Sequence, residues 1–284
     1  MANITINITN GTAPYLVETI PDCGTSWNFG SAGVKVLHDV PAGEYAVRVT
    51  DAKGCVVTIG GVIIEGCSQY GYLYNWFAVS DARNIAANGW HVPSKIEFET
   101  LQTYLGGSSV AGGHLKETGY VYWDLPNTDA DNSSGFNARG SGARNYLGTY
   151  TNLKKGGNYW TTTAASSING YYFNIGYNSA IGQITNNINT YGFSIHLIKD
   201  DSTLDTYTGN DGKEYQTVKI GNQVWLAENL AETLYRDLSD IPYVYGDSEW
   251  SALSSGARCA YNNDCNNVGC NEVCPTTTTT TPSP

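Results

Sequence analysis

The chain has 284 residues and carries 26 Asp and Glu against 15 Lys and Arg, a formal net charge of −11. That length admits one large domain or two to three smaller ones, and so acidic a balance repels phosphate backbones, which argues against a nucleic-acid partner. Charged residues make up only 14% of the chain, against about 25% in an average soluble domain; Gly, Thr, Asn and Tyr fill the difference, a neutral polar surface of the kind found on extracellular adhesins and virions.

The first residues, "MANITINITNGTAPY", have neither the basic start nor the apolar core of a secretory signal. The expectation is a mature fragment with a restored Met1, or a protein made in a cytoplasm and not exported by the general route. No apolar run reaches the ~18 residues of a membrane helix, so membrane insertion is not expected. Residues 1–66 read as an all-β module. "ITINIT" and "APYLVETI" alternate apolar and polar residues, as half-buried strands do. In "VPAGEYAVRVTDAKGC", Tyr45, Val47 and Val49 face one way and Glu44, Ala46 and Arg48 the other. "DAKG" is a turn, and Val56 to Ile64 supplies one or two more strands. Short strands between Gly and Asp turns predict a small β-sandwich.

Residues 67–201 read as an α+β unit. "YGYLYNWFAV" starts a core, and a short helix is expected near "SDARNIAA". "VPSKIEFETLQTYLGG" is the clearest helix: Ser94 caps it, Glu97 completes a capping box, Phe98, Leu101 and Leu105 share a face, and Gly106 suits the left-handed end. From Gly119 onward "YVYW", "NYWTTT", "YYFNIGY" and "YGFSIHLIKD" predict strands, the last with Phe193, Ile195 and Leu197 on one face and Ser194 and His196 on the other. Residues 202–274 then begin afresh. "DGKEYQTVKIGNQVWLAENL" is a hairpin with Gly221-Asn222 as its turn. Residues 275–284, "PTTTTTTPSP", read as a linker or glycosylated stalk.

Chemistry is sparse. The last four of seven cysteines, Cys259, Cys265, Cys270 and Cys274, lack the tight C-x2-C pair of a zinc site, so disulfides or free thiols are expected there. His38, His91, His114 and His196 show no metal spacing, and His91 reads as a framework histidine. No G-x-S-x-G elbow, phosphate loop or dinucleotide fingerprint is present, so the chain is not read as an enzyme and no cofactor is expected. Asp124, Asp129, Asp131 and Asn132 in "DLPNTDADNSSG" are hard oxygen ligands that could hold calcium, but the spacing is not that of an EF-hand and a solvated acidic loop is the better account. The candidate recognition segment is Ser166 to Gly192, rich in Tyr, Asn, Ser and Gly, the palette of adaptable binding surfaces. Strand alternation turns Tyr171, Phe173 and Ile175 inward. It turns Tyr172, Asn174 and Asn178 outward; these, with Tyr177, Asn186 and Asn187, are the ligand-binding candidates, aromatic planes and amides suited to sugars.

Two resemblances extend this reading. "GTAPY" and "VPAGEYAVRVTDAKGC" resemble the SprB-type repeat of gliding-motility adhesins, which implies an immunoglobulin-like sandwich and a disulfide between Cys23 and Cys55. "YGYLYNWFAV", "NGWHVPSKIEFETLQTYLGG", "GGHLKETG", "YWDLPNTDADNSSGFNARGSGARN", "YWTTT" and "YGFSIHLIKD" resemble, in order, the Fibrobacter succinogenes major paralogous domain, itself similar in fold to C-type lectins and formylglycine-generating enzymes. The resemblance implies a C-type-lectin-like domain, with the recognition segment lying where lectin-like domains take ligands. It carries no formylglycine chemistry, because Tyr70 to Asp200 contains no cysteine. A bridge of that family would fall on Ala86 and Leu197, so both of its halves are absent, as suits a reducing cytoplasm.

In that family "DGKEYQTVKIGNQVWLAENL" and "GARCAYNND" come first, whereas here they come last, so the resemblance implies a circular permutation. Three outcomes are open: the segment closes its own chain, completes a neighbouring chain, or is a truncated second domain. Either of the first two brings Asp264 near Tyr70 and Cys67 near Cys265 or Cys270. The expected protein is a non-enzymatic virion surface component, a phage fibre or decoration protein that forms homo-oligomers with other subunits and binds host-surface glycans. The alternative is a secreted bacterial adhesin or filament subunit.

Overall fold

Alternating apolar residues build the first of two units. The computed structural model describes residues 2–20, 26–40, 43–64, 70–269 and 274–275, and the chain divides into Met1–Ser68 and Gln69–Pro284. In the first unit β1 (Ala2–Ile8) pairs antiparallel with β4 (Gly33–Val40). β2 (Tyr15–Ile20), β3 (Trp27–Phe29), β5 (Gly43–Thr50) and β6 (Val56–Ile64) form a second sheet in the order β3-β2-β5-β6. Ile4, Ile8 and Leu37 from one sheet meet Tyr15, Val17 and Val47 from the other in one core. Arg48 lies on the opposite face from Val47, where it pairs with Glu18, its cross-strand partner, at 2.8 Å. Asp51 sets the turn before β6: its carboxylate accepts from the backbone N–H groups of Thr12, Lys53 and Cys55. Val56 to Ile64 is a single strand.

The second unit is also dominated by strands. It runs through β7 (Leu73–Tyr74), α1 (Trp76–Val79), β8 (Trp90–His91), α2 (Lys95–Tyr104), α3 (Ser108–Leu115), β9 (Ser141–Arg144), β10 (Tyr150–Leu153), β11 (Gly156–Ala164), β12 (Asn169–Gly176), β13 (Gly182–Ile188) and β14 (Ile198–Lys199). β15 (Tyr207–Thr208), β16 (Glu214–Tyr215), β17 (Thr217–Ile220), β18 (Gln223–Leu226), α4 (Asp247–Ser251) and β19 (Arg258–Cys259) follow. α2 forms as its sequence dictates: Ser94 Oγ accepts from the Glu97 N–H, Glu97 returns to the Ser94 N–H, and Gly106 follows the helix at φ +93°. Phe98 and Leu101 are fully buried, and Leu105 packs against the same cluster.

Local structure departs from expectation: of "YGFSIHLIKD" only Ile198–Lys199 forms a strand, with isolated bridges at Phe193 and Ser194, and two other segments differ. Residues 80–88 are turns, because the Asp81 and Asn84 side chains bond the backbone N–H groups two residues on. "YVYW" is irregular; Trp123 is buried there and donates to the Ala138 carbonyl at 2.9 Å. α3 has glycines in its middle because backbone runs against it: a Cβ on Gly112 would sit 2.6 Å from the Ile181 carbonyl oxygen, and one on Gly113 2.5 Å from that of Asp129.

The segment after residue 206 is built into the fold of the same chain. β17 and β18 extend a four-stranded sheet in the order β17-β18-β14-β8, with Ile198 opposite Trp225, and β19 pairs with β7. The Tyr70 N–H donates to the Asn267 carbonyl at 2.9 Å and the Gly71 N–H to that of Val268 at 3.2 Å. Tyr207, Tyr215, Leu226, Leu230 and Tyr235 share one core with Tyr72, Tyr74, Trp160 and Leu197; Trp225 and Ile220 share another with Phe98, Phe136 and Phe173. Ala86 and Leu197 are both buried in the first of these.

Buried polar groups fix the seam. Glu232 is fully buried and accepts backbone N–H donors from Asn210, Asp211, Thr233 and Leu234 at 2.6–3.1 Å. Burial and then the Asp211 charge raise its carboxyl, to about 7. Asp211 stays low against its own burial because Lys213 donates to it at 3.0 Å. Buried Arg144 donates to the carbonyls of Gly148, Val244 and Tyr245 and to Asp247. The His196 ring nitrogens lie 3.0 Å from the Leu226 carbonyl oxygen and 2.8 Å from Asn229 Oδ1, and burial lowers its pKa to about 4.

The cysteines depart from expectation. Cys265 bonds Cys274, with a Cα separation of 5.4 Å, rather than Cys67. The one-turn 3-10 helix that begins at Cys265 opens a local loop that Cys274 closes nine residues on. Cys55 is an exposed free thiol, so the Cys23–Cys55 bond is not formed. Cys23, Cys67 and Cys270 lie outside the described residues. Cys259 is a buried free thiol that burial pushes up to about 11.

Trp225 tests how far the late segment belongs to the core. Trp225→Ala should cost about 3–5 kcal/mol in chemical denaturation. A loss below about 1 kcal/mol, within the range of an ordinary surface substitution, would show that the segment merely rests on the domain.

Candidate functional site

The sheet β11-β12-β13 sorts the candidate residues by parity. Opposed residues in an antiparallel pair share a face. Tyr159, Phe173 and Ile184 therefore lie on one face, in the cluster under α2, while Trp160, Tyr172 and Thr185 lie on the other. Asn158, Asn174 and Gln183 form the next row of that second face, and Asn187 stands opposite Gly170 on it. Asn186 pairs with Tyr171 and belongs to the first face. Tyr177, beyond the end of β12, packs against the cluster under α2, and Asn178 beside it is exposed. The six expected residues are thus not one site; only Tyr172, Asn174 and Asn187 share a surface.

That surface gains aromatic residues from elsewhere. Trp160, Tyr172, Phe193, Tyr191 and Tyr146 form a chain of rings with successive centroids 5.9, 4.5, 5.5 and 6.0 Å apart. Its inner end is buried; at its outer end Tyr146 is 44% and Leu147 58% exposed. Trp76 flanks the other side and lies directly over Gly170, where a Cβ would come within 2.3 Å of its ring, so only glycine fits. The Trp76 Nε1–H donates to the Thr161 carbonyl at 2.9 Å, which fixes the ring. Asn174 donates to Asn158 Oδ1 at 2.8 Å, and Asn158 donates to the Gly142 carbonyl at 3.1 Å, an amide row with its own internal order. Burial raises the Tyr172 phenol, opposed by a hydrogen bond from Asn187. Half-exposed rings beside amides and a threonine can stack on the C–H face of a sugar and bond its hydroxyls.

Sequence reasoning missed Trp76 and Tyr146 because they come from other segments, and Tyr191 because, although within Ser166–Gly192, it follows the end of β13, where strand alternation no longer assigns a face. One signal was present: Asn145 Oδ1 accepts from the N–H groups of Leu147 and Thr149, an Asx turn that pushes Tyr146 and Leu147 outward.

The acidic loop does not gather as a calcium site. Asp131 is turned to His114 at 2.9 Å and to the Ser133 N–H, and Asn132 to Asn137. The buried Lys116 ammonium donates instead to the carbonyls of Thr128, Gly176 and Ser179, and burial lowers it to about 8. Among the described residues no three His, Cys, Asp or Glu side chains converge as metal ligands. The nearby cleft lined by Tyr104, His114, Ser133, Ser134 and Lys219 holds no nucleophile–base relay: Asp131 and Ser133 both meet the same ring nitrogen of His114.

The model of the Fibrobacter succinogenes major domain matches residues 58–199. The chain belongs to this family. The match ends at Lys199, so the segment that completes the core of this Fibrobacter succinogenes major domain lies outside it. No curated protein and no solved structure matches the chain.

The "GWHVP" block of the domain makes a clamp. His91 Nε2 lies 2.8 Å from Glu97 and Nδ1 2.6 Å from Asp200. The Glu97 hydrogen bond raises the His91 pKa against its burial, with Asp200 adding to it. Burial would raise Glu97, but bonds from His91 and Ser94 outweigh it and hold it low. A raised histidine contributes stability that is complete below its unfolded pKa of about 6.5 and is lost as pH rises through the folded value. Thermal stability should therefore fall as pH rises from about 6.5 through the raised value, and His91→Gln should flatten that fall. An unchanged pH profile in the variant would remove the clamp from the account.

Proposed function

We propose that this chain is a non-enzymatic component of a bacterial outer surface, an adhesin or extracellular filament subunit, and that it binds glycans on the β11–β13 face lined by Trp76, Tyr146, Tyr172 and Tyr191. In this reading the first unit is an immunoglobulin-like spacer. The second is a C-type-lectin-like domain circularly permuted so that residues 202–274 supply its opening. Copies of the chain are its first partners, and a host or matrix glycan is its ligand.

The observation that carries the glycan reading is the run of half-exposed rings beside Asn174, Thr185 and Asn187, which suits ring stacking with hydroxyl recognition. Family membership supports a bacterial surface over a virion, for which no observation speaks. Among the described residues no helix is long and apolar enough to cross a membrane. Neutral polar residues in place of charges suit a glycan-facing exterior, since they present donors and acceptors without a strong field.

Glycan-array binding by the full chain tests the ligand. At least one glycan class should bind, and Tyr146→Ala and Tyr191→Ala should each weaken it by about tenfold while leaving the melting temperature nearly unchanged. Silence across diverse glycans and bacterial envelopes would reduce the face to a polar scaffold. Antibody labelling of intact cells tests the location; label confined to phage particles would restore the virion reading.

A further inference from the structure

β6 is an edge strand whose core-facing Val57 and Ile59 are uncovered. Val57 and Ile59 stand opposite Val49 and Val47 of β5 and so point to the face that carries the core. Val47 is 1% exposed, whereas Val57 is 63% and Ile59 56% exposed. The cause is topological: the facing sheet has two strands, β1 and β4, against four in β3-β2-β5-β6, so cover runs out before β6. Val56 on the other face is 55% exposed as well. Nothing pairs with the outer edge of β6 among the described residues. Natural edge strands are protected by charge, proline, brevity or a bulge. The segment Val56–Ile64 has nine residues with no charge and no proline, and its register with β5 slips only after Ile59.

We propose that β6 is a self-association edge, pairing antiparallel with β6 of a second copy about a two-fold axis at Thr58. The register sets Val57 against Ile59 of the other copy, twice, on the core-facing side. It sets Thr58 against its counterpart on the axis, and the two four-stranded sheets become one of eight. A second copy is the occupant because the strand matches itself. Under the two-fold each uncovered apolar group on the core-facing side meets another, and a heterologous partner would find no charge to read. Residues 1–68 contain six Asp and Glu against three Lys and Arg, so two copies repel wherever charge is displayed and meet at least cost along a neutral strip.

Sedimentation velocity on the full chain should show a concentration-dependent monomer–dimer equilibrium. Val57→Thr with Ile59→Thr keeps β-branched side chains, so the strand is retained; it should weaken the dimer by roughly a hundredfold without altering the circular dichroism. Thr58→Cys in a Cys55→Ser background should cross-link across the axis under mild oxidation. A chain that stays monomeric at high micromolar concentration, a dimer indifferent to the double substitution, or a dimer that never cross-links through position 58 would each overturn the pairing. A monomer that still binds glycan leaves the glycan reading standing, and a dimer that binds none sinks that reading alone.

Discussion

The second unit depends on Trp225. Its indole lies 5.1 Å from the Phe98 ring and 5.7 Å from that of Phe136. α2, the loop before β9 and the late hairpin β17–β18 thereby share one apolar cluster. An aromatic side chain of this size buries ~150–250 Å², worth about 4–6 kcal/mol at ~25 cal/mol per Å². That is a large part of the net stability of an ordinary domain. The chain therefore has to return: without residues 207–268, Phe98, Leu197 and Tyr72 would each lose part of their cover.

Because the seam is buried, its polar groups must be satisfied within the protein. The main chain does most of this. Glu232 takes four backbone N–H groups, and Arg144 gives to three carbonyls and one carboxylate. A chain poor in charge carries these few buried ions because each is held largely by backbone dipoles. Trp225 Nε1 and the Tyr70 and Tyr235 hydroxyls are exceptions, and so is Arg258. Its Nε and Nη1 have no hydrogen-bond partner, and the guanidinium lies over Tyr72 at 4.5 Å and Tyr243 at 5.3 Å, so ring faces stand in for acceptors.

The candidate recognition face follows from the same packing. Trp160, Tyr172 and Phe193 belong to the core at their inner ends, and the rings continue outward through Tyr191 to Tyr146. A surface rooted in a rigid cluster presents its rings with little conformational entropy to lose on binding. The uncovered β6 edge is a different kind of feature, set by a count of strands. Two strands cannot cover four.

Some of this was fixed by sequence alone. The capping box of Ser94 and Glu97, the face Phe98-Leu101-Leu105, the Gly221-Asn222 hairpin and the alternation of β2, β5 and β12 are local, so they read directly from spacing and turn chemistry. The "SDARNIAA" and "YVYW" segments misled because side-chain bonds to nearby backbone overrode propensity in the first and a buried Trp123 anchored an irregular segment in the second. The glycines of α3 were opaque because their reason, backbone from residues 129 and 181, lies far along the chain. Composition found the Tyr- and Asn-rich segment, and strand pairing placed Asn187 with Tyr172 and Asn174, and Asn186 with Tyr171. Only the tertiary fold could bring Trp76, Tyr146 and Tyr191 beside Tyr172, since no periodicity links positions so far apart. Tertiary structure also decided that Cys265 meets Cys274 and that the late hairpin pairs with β14. Local sequence sets which elements form; which distant ones meet is set by the apolar surface that each leaves uncovered.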